Sequence, residues 1–391
     1  MLDQFITMML GPYFRSAGLG LRSPTTRRLI APKSNAPTLF FKRWRDMFRL
    51  PFSPELVFAK SYAEGNLVIE DGDVFDVCMQ TYSVELDFPQ VINWIMVPIN
   101  LFYQGRTPAQ SQSNVAAHYD LGNDLYNLFL DPDKQYSCAY FHDLNQDLAT
   151  AQKQKKQHII TKLLPTSGMT ALDIGCGWGG LSLDMAQAGL KVTGITLSEE
   201  QIAVAKTRGR AANLDIEFKL IDYRLENGRY DRVVSIGMFE HVGKAKFQEY
   251  FDQVSKNLKD DGIALIHTIG RPGPPTYVNR FITKYIFPGG YIPSLSQIAT
   301  TVERSGLLMT DVECLYLHYA ETLCHWRINF MKNRDAAVQM YDEHFARIWE
   351  IYLAGCEAAF RNKSLLIYQI QLGKSKTPVS LTREYMYKET D

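Results

Sequence analysis

Ala171-Leu172-Asp173-Ile174-Gly175-Cys176-Gly177-Trp178-Gly179-Gly180 is the stretch whose reading decides the fold. Its first four residues are apolar except for Asp173, as in a buried strand, and the next six make a tight turn that opens a helix. Glycines there permit positive φ and let a ligand approach the backbone, while a helix start offers N–H groups with no partner of their own. Gly175, Gly177 and Gly180 fit G-x-G-x-x-G, a weak signal by itself. Two nucleotide ligands compete for the turn. A dinucleotide wants an acid closing the second strand, for its ribose hydroxyls. S-adenosylmethionine wants a carboxylate near the end of the first strand, for its zwitterionic amino acid end. Asp173 meets that second demand, whereas the next strand ends Gly194-Ile195-Thr196-Leu197-Ser198 and acids come only afterwards. A turn that merely packs is the structural alternative. Ser198 and Gln201 also fit a helix-capping box, which accounts for both without a ligand.

Outward from this turn, β-rich runs at Thr170–Gly175, Lys191–Leu197, Ile216–Ile221, Tyr230–Ile236 and Gly262–Gly270 alternate with helical stretches at about 180–189, 199–213 and 244–258. The alternation predicts βαβ units and a mostly parallel sheet, an α/β fold. Leu308–Leu315 and Leu365–Leu372 read as two further strands, with helices over about 320–361 before the last. The first 90 residues read as a small α+β unit, helical at Arg43–Phe48, with a strand Leu67–Glu70 running into an Asp71-Gly72 turn. Val91–Gln112 reads as a helix followed by a polar linker. The expected organisation is an N-terminal α+β, membrane-associated domain over 1–90, a helix and linker over 91–114, and a catalytic domain over 115–391.

The 391 residues, 46% hydrophobic and 21% charged, exclude a disordered chain, a fibrous repeat and a small disulfide scaffold. Lys+Arg and Asp+Glu both total 42, but residues 1–50 carry nine bases against Asp3 and Asp46, a net +7, and residues 51–90 carry a net −7. The six cysteines are scattered and form no C-x-x-C, so neither structural zinc nor any other metal is expected, and a reduced, cytosolic setting fits. The apolar run Phe5–Leu10 is stopped, in this reading, by Gly11-Pro12, and is too short for a signal segment. Val91–Tyr103, broken by Asn93, Pro98 and Asn100, falls short of the ~20 residues of a membrane span. Phe40, Phe41, Trp44 and Phe48 lie among Lys42, Arg43, Arg45 and Arg49, an amphipathic pattern suited to an anionic membrane surface. The alternative is that the basic segment pairs with its own acidic 51–90 neighbour. Nucleic acid is not expected, because the cluster lacks interleaved stacking motifs.

Several blocks together resemble one family. They are His118-Tyr119-Asp120-Leu121-Gly122-Asn123-Asp124, Tyr136-Ser137-Cys138-Ala139-Tyr140-Phe141, Leu172–Gly180, Gly194–Ser198, Gly237-Met238-Phe239-Glu240-His241-Val242-Gly243, His267-Thr268-Ile269-Gly270, Lys284–Gly290 and Tyr352-Leu353-Ala354-Gly355-Cys356. In order, over about 115–374, they resemble the cyclopropane-fatty-acyl-phospholipid synthases and the related mycolic acid cyclopropane synthases. Ser61–Gly65 through Asp73 is similar to the N-terminal domain of the phospholipid-acting branch.

The resemblance implies a class I methyltransferase, Rossmann-like, with helices on both faces of the sheet. It implies methyl transfer from S-adenosylmethionine to a cis double bond of an acyl chain in membrane phospholipid, then loss of a proton to close a cyclopropane ring. The enzyme would be cytoplasmic and peripheral on the inner face of the membrane, and a homodimer is a possible assembly. An alkene is a weak nucleophile, so the transfer leaves a carbocation that needs a dry site beside electron-rich faces. Tyr136, Tyr140, Phe141, Phe239, Tyr285, Phe287 and Tyr319 are the aromatic candidates, with plain core packing the competing reading for each. The family's base is a bound bicarbonate ion. By position, Cys138 and Ile269 would hold it through main-chain groups, and Glu240, His267 and Tyr319 through side chains. Without the resemblance, His267 reads as a satisfied core histidine. Cys356 also matches a family cysteine, although it falls on a predicted helix with no cation to lower its pKa. Cofactor contacts carry over to Tyr136, Ser137, Asp173, Gly175, Gly177, Thr196, Leu197 and Gln201, with Asp222 and Tyr223 bordering the adenine. Two other outcomes stay open: methyl transfer without ring closure, giving methyl- or methylene-branched chains, and O- or N-methylation of a small molecule. The apolar, aromatic segment around 280–292 argues against the latter's polar substrates.

Overall fold

The computed structural model describes residues 2–31, 36–83, 122–276, 279–378 and 380–387. The helix and linker expected over 91–114, and His118 to Leu121 of the first family block, lie outside them. The described residues fall into two units, one of 2–31, 36–83, 279–286 and 323–364, the other of 122–276, 287–322, 365–378 and 380–387.

The first unit carries a four-stranded sheet in the order β2-β1-β3-β4, built from β1 (Gly20–Arg22), β2 (Leu29–Ala31), β3 (Thr38–Phe41) and β4 (Leu67–Glu70). Only β1 and β3 run parallel. Three expectations are corrected here. Gly11-Pro12 does not stop the first apolar run: one helix spans Leu2–Ser16 with Pro12 inside it. Proline in a helix interior costs about 3 kcal/mol. Ile6, Leu10 and Phe14, a row at i, i+4 and i+8, are buried against Leu21, Leu39 and Phe41, and each buried side chain returns about 2 kcal/mol. Phe40 and Phe41 belong to β3 and are buried, so they lie on no interfacial face, and the helix that follows covers only Trp44–Arg49. The long helix Glu343–Arg361, expected in a catalytic domain of 115–391, packs instead on Pro54–Ala63 and Val74–Tyr82 of the first unit. There Tyr62 Oη donates to Glu350 Oε1 at 3.1 Å, and Arg347 reaches the Tyr62 carbonyl at 3.1 Å.

The second unit is the predicted α/β layer. Its sheet runs β10-β11-β9-β8-β5-β6-β7, from β5 (Thr170–Ile174), β6 (Lys191–Thr196), β7 (Ile216–Leu220), β8 (Tyr230–Ile236), β9 (Leu258–Gly270), β10 (Leu308–Leu315) and β11 (Leu366–Gly373). Only β11 is antiparallel to its neighbours. Side chains alternate across a strand, and Ile263 and Leu265 of β9 join Val234, Ala171 and Val192 under Ile159 and Leu163 of the helix Leu148–Leu163 and Met185 of Gly180–Gln187. The helices Glu199–Ala211 and Phe247–Asn257 pack on β7 and on β8 and β9. Parallel strands with helices on both faces aim their carboxyl ends at one edge, where ligands bind in this architecture. No helix among the described residues is long and apolar enough to cross a membrane.

Candidate active site

At the carboxyl ends of β5, β6 and β8 the structure brings Tyr136, Ser137, Asp173, Gly175, Gly177, Thr196, Leu197, Gln201, Asp222 and Tyr223 around a single pocket. Local chemistry explains the shape. Gly175, Gly177 and Gly179 all adopt positive φ, which β-carbon-bearing residues avoid. A side chain at Gly175 would also come within 3.0 Å of Met238 Cβ. The amides of Gly175 and Cys176 both donate to the Ile195 carbonyl, at 2.9 and 3.0 Å, folding the turn back on β6.

Asp173 is buried and accepts from Ser182 Oγ at 2.7 Å, and burial pushes its carboxyl up to about 6. Ser198 caps the next helix through the Gln201 amide, yet the Gln201 side chain turns to Thr196 Oγ1 instead of completing the capping box. Asp222 is gripped by the Arg224 guanidinium at 2.6 and 2.8 Å. Lys134, Trp178, Arg224, Met238 and His241 also line the pocket, and the sequence reading did not single them out. Trp178 lay in view within the glycine turn; its indole donates to Asn123 Oδ1 at 2.6 Å, and Tyr126 sits edge-on to both Trp178 and Tyr136.

Beyond the pocket lies a second, drier cluster. β8 ends at Ile236, and Gly237, at positive φ, donates its amide to the His267 carbonyl at 2.8 Å. That bond brings the short turn Phe239–His241 beside β9, where Glu240 Oε1 accepts from the Ile269 amide at 2.6 Å. Glu240 Oε2 and His267 Nε2 are both buried with no hydrogen-bond partner among the described residues. Burial raises the Glu240 carboxyl to about 7 and carries the His267 imidazole well below its ordinary value. The segment that carries Cys138 is tied separately to the helix that carries Tyr319. The Ala139 amide donates to Thr322 Oγ1 at 3.0 Å and the Phe141 amide to His318 Nδ1 at 3.0 Å, pinning the strand-like segment 138–141 to the start of the helix Leu317–Lys332.

Lys155 anchors the preceding residues from beneath, donating to Gln135 Oε1 at 2.6 Å and to Ser137 Oγ at 2.9 Å. Its ammonium is fully buried and brought down to about 8 by desolvation. No local pattern marks this lysine, which sits in the run of six Lys and Gln residues from Gln152 to Gln157.

Two candidates are relocated. Cys356 lies in the first unit near Cys78, and burial pushes its thiol up to about 12. A half-buried thiol held protonated is a poor nucleophile, so Cys356 is removed from the catalytic set. Phe239 is fully buried against Phe247, Tyr250 and Phe251 and serves the core. Tyr140 is sandwiched between His158 and His318, ring centroids 4.3 and 4.6 Å away.

The seven-stranded sheet order, the glycine turn and the pocket at the strand ends define a class I S-adenosylmethionine-dependent methyltransferase. Within that class the chain belongs to the mycolic acid cyclopropane synthetase family, whose profile matches residues 106–370. It is 36% identical over 349 residues, 84% of this chain and 86% of the other, to a Pseudomonas putida protein named "Probable fatty acid methyltransferase". It is 43% identical over 254 residues, 65% of each chain, to the cyclopropane-fatty-acyl-phospholipid synthase of Escherichia coli. Among solved structures it resembles mycolic acid cyclopropane synthase CmaA1 complexed with S-adenosylhomocysteine and CTAB, at 33% identity and a TM-score of 0.64, covering 67% of this chain and 98% of that one.

Proposed function

We propose that this enzyme transfers the methyl group of S-adenosylmethionine to the cis double bond of unsaturated acyl chains in membrane phospholipids, then removes a proton to close a cyclopropane ring, with bicarbonate as the base. The observation that carries the reading is the two orphaned atoms, Glu240 Oε2, on the turn bonded to the Ile269 amide of β9, and His267 Nε2, on β9 itself, each buried without a partner among the described residues. A buried polar atom without a partner costs roughly 1–3 kcal/mol, and a small ion with both donor and acceptor oxygens meets both demands at once. S-adenosylmethionine supplies an electrophilic methyl group and bicarbonate a base. The chain's own part is to bind, orient and keep water out. Tyr136, Ser137, Asp173, Gly175 and Gly177 hold the amino acid end, Thr196, Leu197 and Gln201 the ribose, and Asp222 and Tyr223 the adenine. Glu240, raised to about 7, exchanges a proton near neutrality, while His267 and Tyr319 donate, the backbone at Cys138 completes the cradle, and the Ile269 amide contributes by holding Glu240 in place. Calorimetry should give tight binding of S-adenosylhomocysteine and none of NADH. Mass spectrometry of host lipids with and without the protein should show phospholipid acyl chains gaining one methylene. Binding of NADH alone would overturn the cofactor assignment.

A second reading, methyl transfer without ring closure, is favoured by the similarity to the P. putida protein, whose name specifies a fatty acid methyltransferase. The carbocation is common to both routes, so the product spectrum decides: a methyl branch beside a retained double bond, or a methylene branch, in place of the ring would select it.

An acyl chain buried in a bilayer reaches its enzyme only if the enzyme sits on the bilayer, and the reading places this one in the cytoplasm against the inner, anionic face. The first unit offers a suitable surface. Phe5, Met8, Phe48 and Phe52 are 46%, 71%, 36% and 67% exposed, and the Phe5 and Phe48 rings meet at 6.3 Å. Lys42, Arg43, Arg45 and Arg49 stand exposed in the same segment as Phe48 and Phe52. The internal-pairing alternative takes up Arg22, with Glu70, and at 4.0 Å Arg43, with Glu64. Each base near an anionic surface contributes about 1 kcal/mol. Charge reversal at Arg45 and Arg49 should therefore weaken sedimentation with anionic vesicles by tenfold or more, most strongly at low salt, with the melting temperature unchanged. Unaltered vesicle binding in that variant would move docking elsewhere. A homodimer would appear as a mass of two chains by light scattering.

A further inference from the structure

Three cross-strand neighbours make a polar row along one face of the sheet. Glu313 of β10 pairs in register with Gln369 of β11, and Gln369 with His267 of β9. Two residues below, on the same face by the two-residue period, Leu265 belongs to the apolar core under the helix Leu148–Leu163. That helix lowers Lys162 and His158 onto the row. Lys162 Nζ donates both to Glu313 Oε2 and, at 2.8 Å, to Gln369 Oε1, while His158 Nε2 meets Glu313 Oε2 at 2.7 Å. The Gln369 amide nitrogen lies 3.1 Å from His267 Nδ1. Gln369, His267 and the Lys162 side chain are each 1% exposed.

The donors and acceptors in this chain can be assigned without seeing a hydrogen. An ammonium has three donors and no acceptor, so the Gln369 atom facing Lys162 is its carbonyl oxygen. The atom facing His267 is then the NH₂ group, which only donates, and Nδ1 must accept. Burial disfavours the doubly protonated ring, and a neutral ring that accepts at Nδ1 carries its proton on Nε2. Burial also opposes a charge on Glu313, but His158 and Lys162 overcome it and hold that carboxyl down at about 2; burial lowers the Lys162 ammonium as well, and the Glu313 carboxylate beside it opposes that shift. We propose that Lys162 and Gln369 are positioning residues that fix His267 as the Nε2–H tautomer, aiming a donor into the acid–base cluster beside Glu240. The assignment deepens the proposed function, since the donor it creates is the one that would hold the bicarbonate oxygen. With the opposite tautomer, a nitrogen lone pair would face the anion.

The test reads the tautomer directly. In protein labelled with ¹⁵N-histidine and freed of bicarbonate, a long-range ¹H–¹⁵N correlation separates protonated from bare ring nitrogens, and the His267→Asn spectrum identifies the signals. The wild type should show Nε2 protonated and Nδ1 bare. Gln369→Glu keeps an oxygen for Lys162 but turns a second oxygen toward Nδ1, so the proton should move to Nδ1 and turnover should fall on the order of 10- to 100-fold, the scale of losing a group that orients a histidine, with S-adenosylhomocysteine affinity retained. Gln369→Leu, which leaves Lys162 paired with Glu313, should give both tautomers. A wild-type ring protonated on Nδ1 overturns the proposal without need of any variant, as does a Gln369→Glu ring that keeps Nε2–H. If the wild type shows Nε2–H but added bicarbonate leaves the rate unchanged, the tautomer relay stands and the bicarbonate reading fails.

Discussion

Glu240→Gln and His267→Ala are each expected to lower turnover by about 10²–10⁴-fold, the range for removing a positioned acid–base group, while S-adenosylhomocysteine binds within a few-fold of wild type. The separation follows from the layout. Neither side chain makes the glycine turn, and Glu240 is fixed from behind by the Ile269 amide. Glutamine keeps an oxygen for that amide yet puts an NH₂ where Oε2 was, turning a buried, unpaired acceptor into a donor. Bicarbonate added to a depleted wild-type preparation should raise the rate, and added to Glu240→Gln should not. Single-turnover chemistry and calorimetry on the same samples check both halves. Near-wild-type rates in both variants would sink the assignment of the base to this cluster.

The second large effect is on stability against pH. The Glu240 carboxyl titrates near 7 in the folded protein against an ordinary value of 4.5, through burial. The folded state therefore holds this proton more tightly than the unfolded chain does. Between pH 4.5 and 7 the unfolded chain gives up the proton first, so Glu240 makes stability fall as pH rises through that window. The loss is complete above pH 7 and amounts to about 3 kcal/mol at 1.36 kcal/mol per pH unit. Asp173, raised to about 6 by the same cause, adds a slope of the same sign. Asp231, held near 2 by Lys259 and Thr170 against its desolvation, contributes stability that is present above the ordinary carboxylate range and lost toward pH 2. Comparing wild type with Glu240→Gln cancels those other groups. In urea melts at pH 5 and pH 8 the Gln variant should gain about 3 kcal/mol on the wild type between the two. A difference that does not change with pH would show that the Glu240 carboxyl is solvated.

Short-range pattern carried much of the site. Asp173, Gly175 and Gly177 stand at alternate positions of one strand and turn, and a short apolar run ending in glycines is visible in any window of that length. The block Gly237–Gly243 came from the family resemblance, and no local pattern of its own marked Glu240. Legibility ended where one type of residue serves two purposes. Phe239 and Tyr140 both read as aromatics beside a cation, yet Phe239 faces Phe247 and Tyr250 while Tyr140 stacks on two histidines. Cys356 matched a family position, and its placement near Cys78 follows from how the helix Glu343–Arg361 packs.

By itself, then, the sequence determined the parallel α/β layer and the glycine turn, because these depend on the alternation of strand-like and helical stretches and on glycine's freedom at positive φ, properties written in short stretches, whereas the other residues around the pocket came from the family resemblance. Only the tertiary structure decided that a helix runs through Pro12, since burial of Ile6, Leu10 and Phe14 outweighs a local penalty. It alone decided that the buried His267 ring is only half satisfied, one nitrogen with a partner and one without. The partner, Gln369, is 102 residues away in the chain and reaches His267 only because β11 inserts antiparallel beside β9. Register between distant strands is set by the packing of whole faces, which no single stretch of sequence contains.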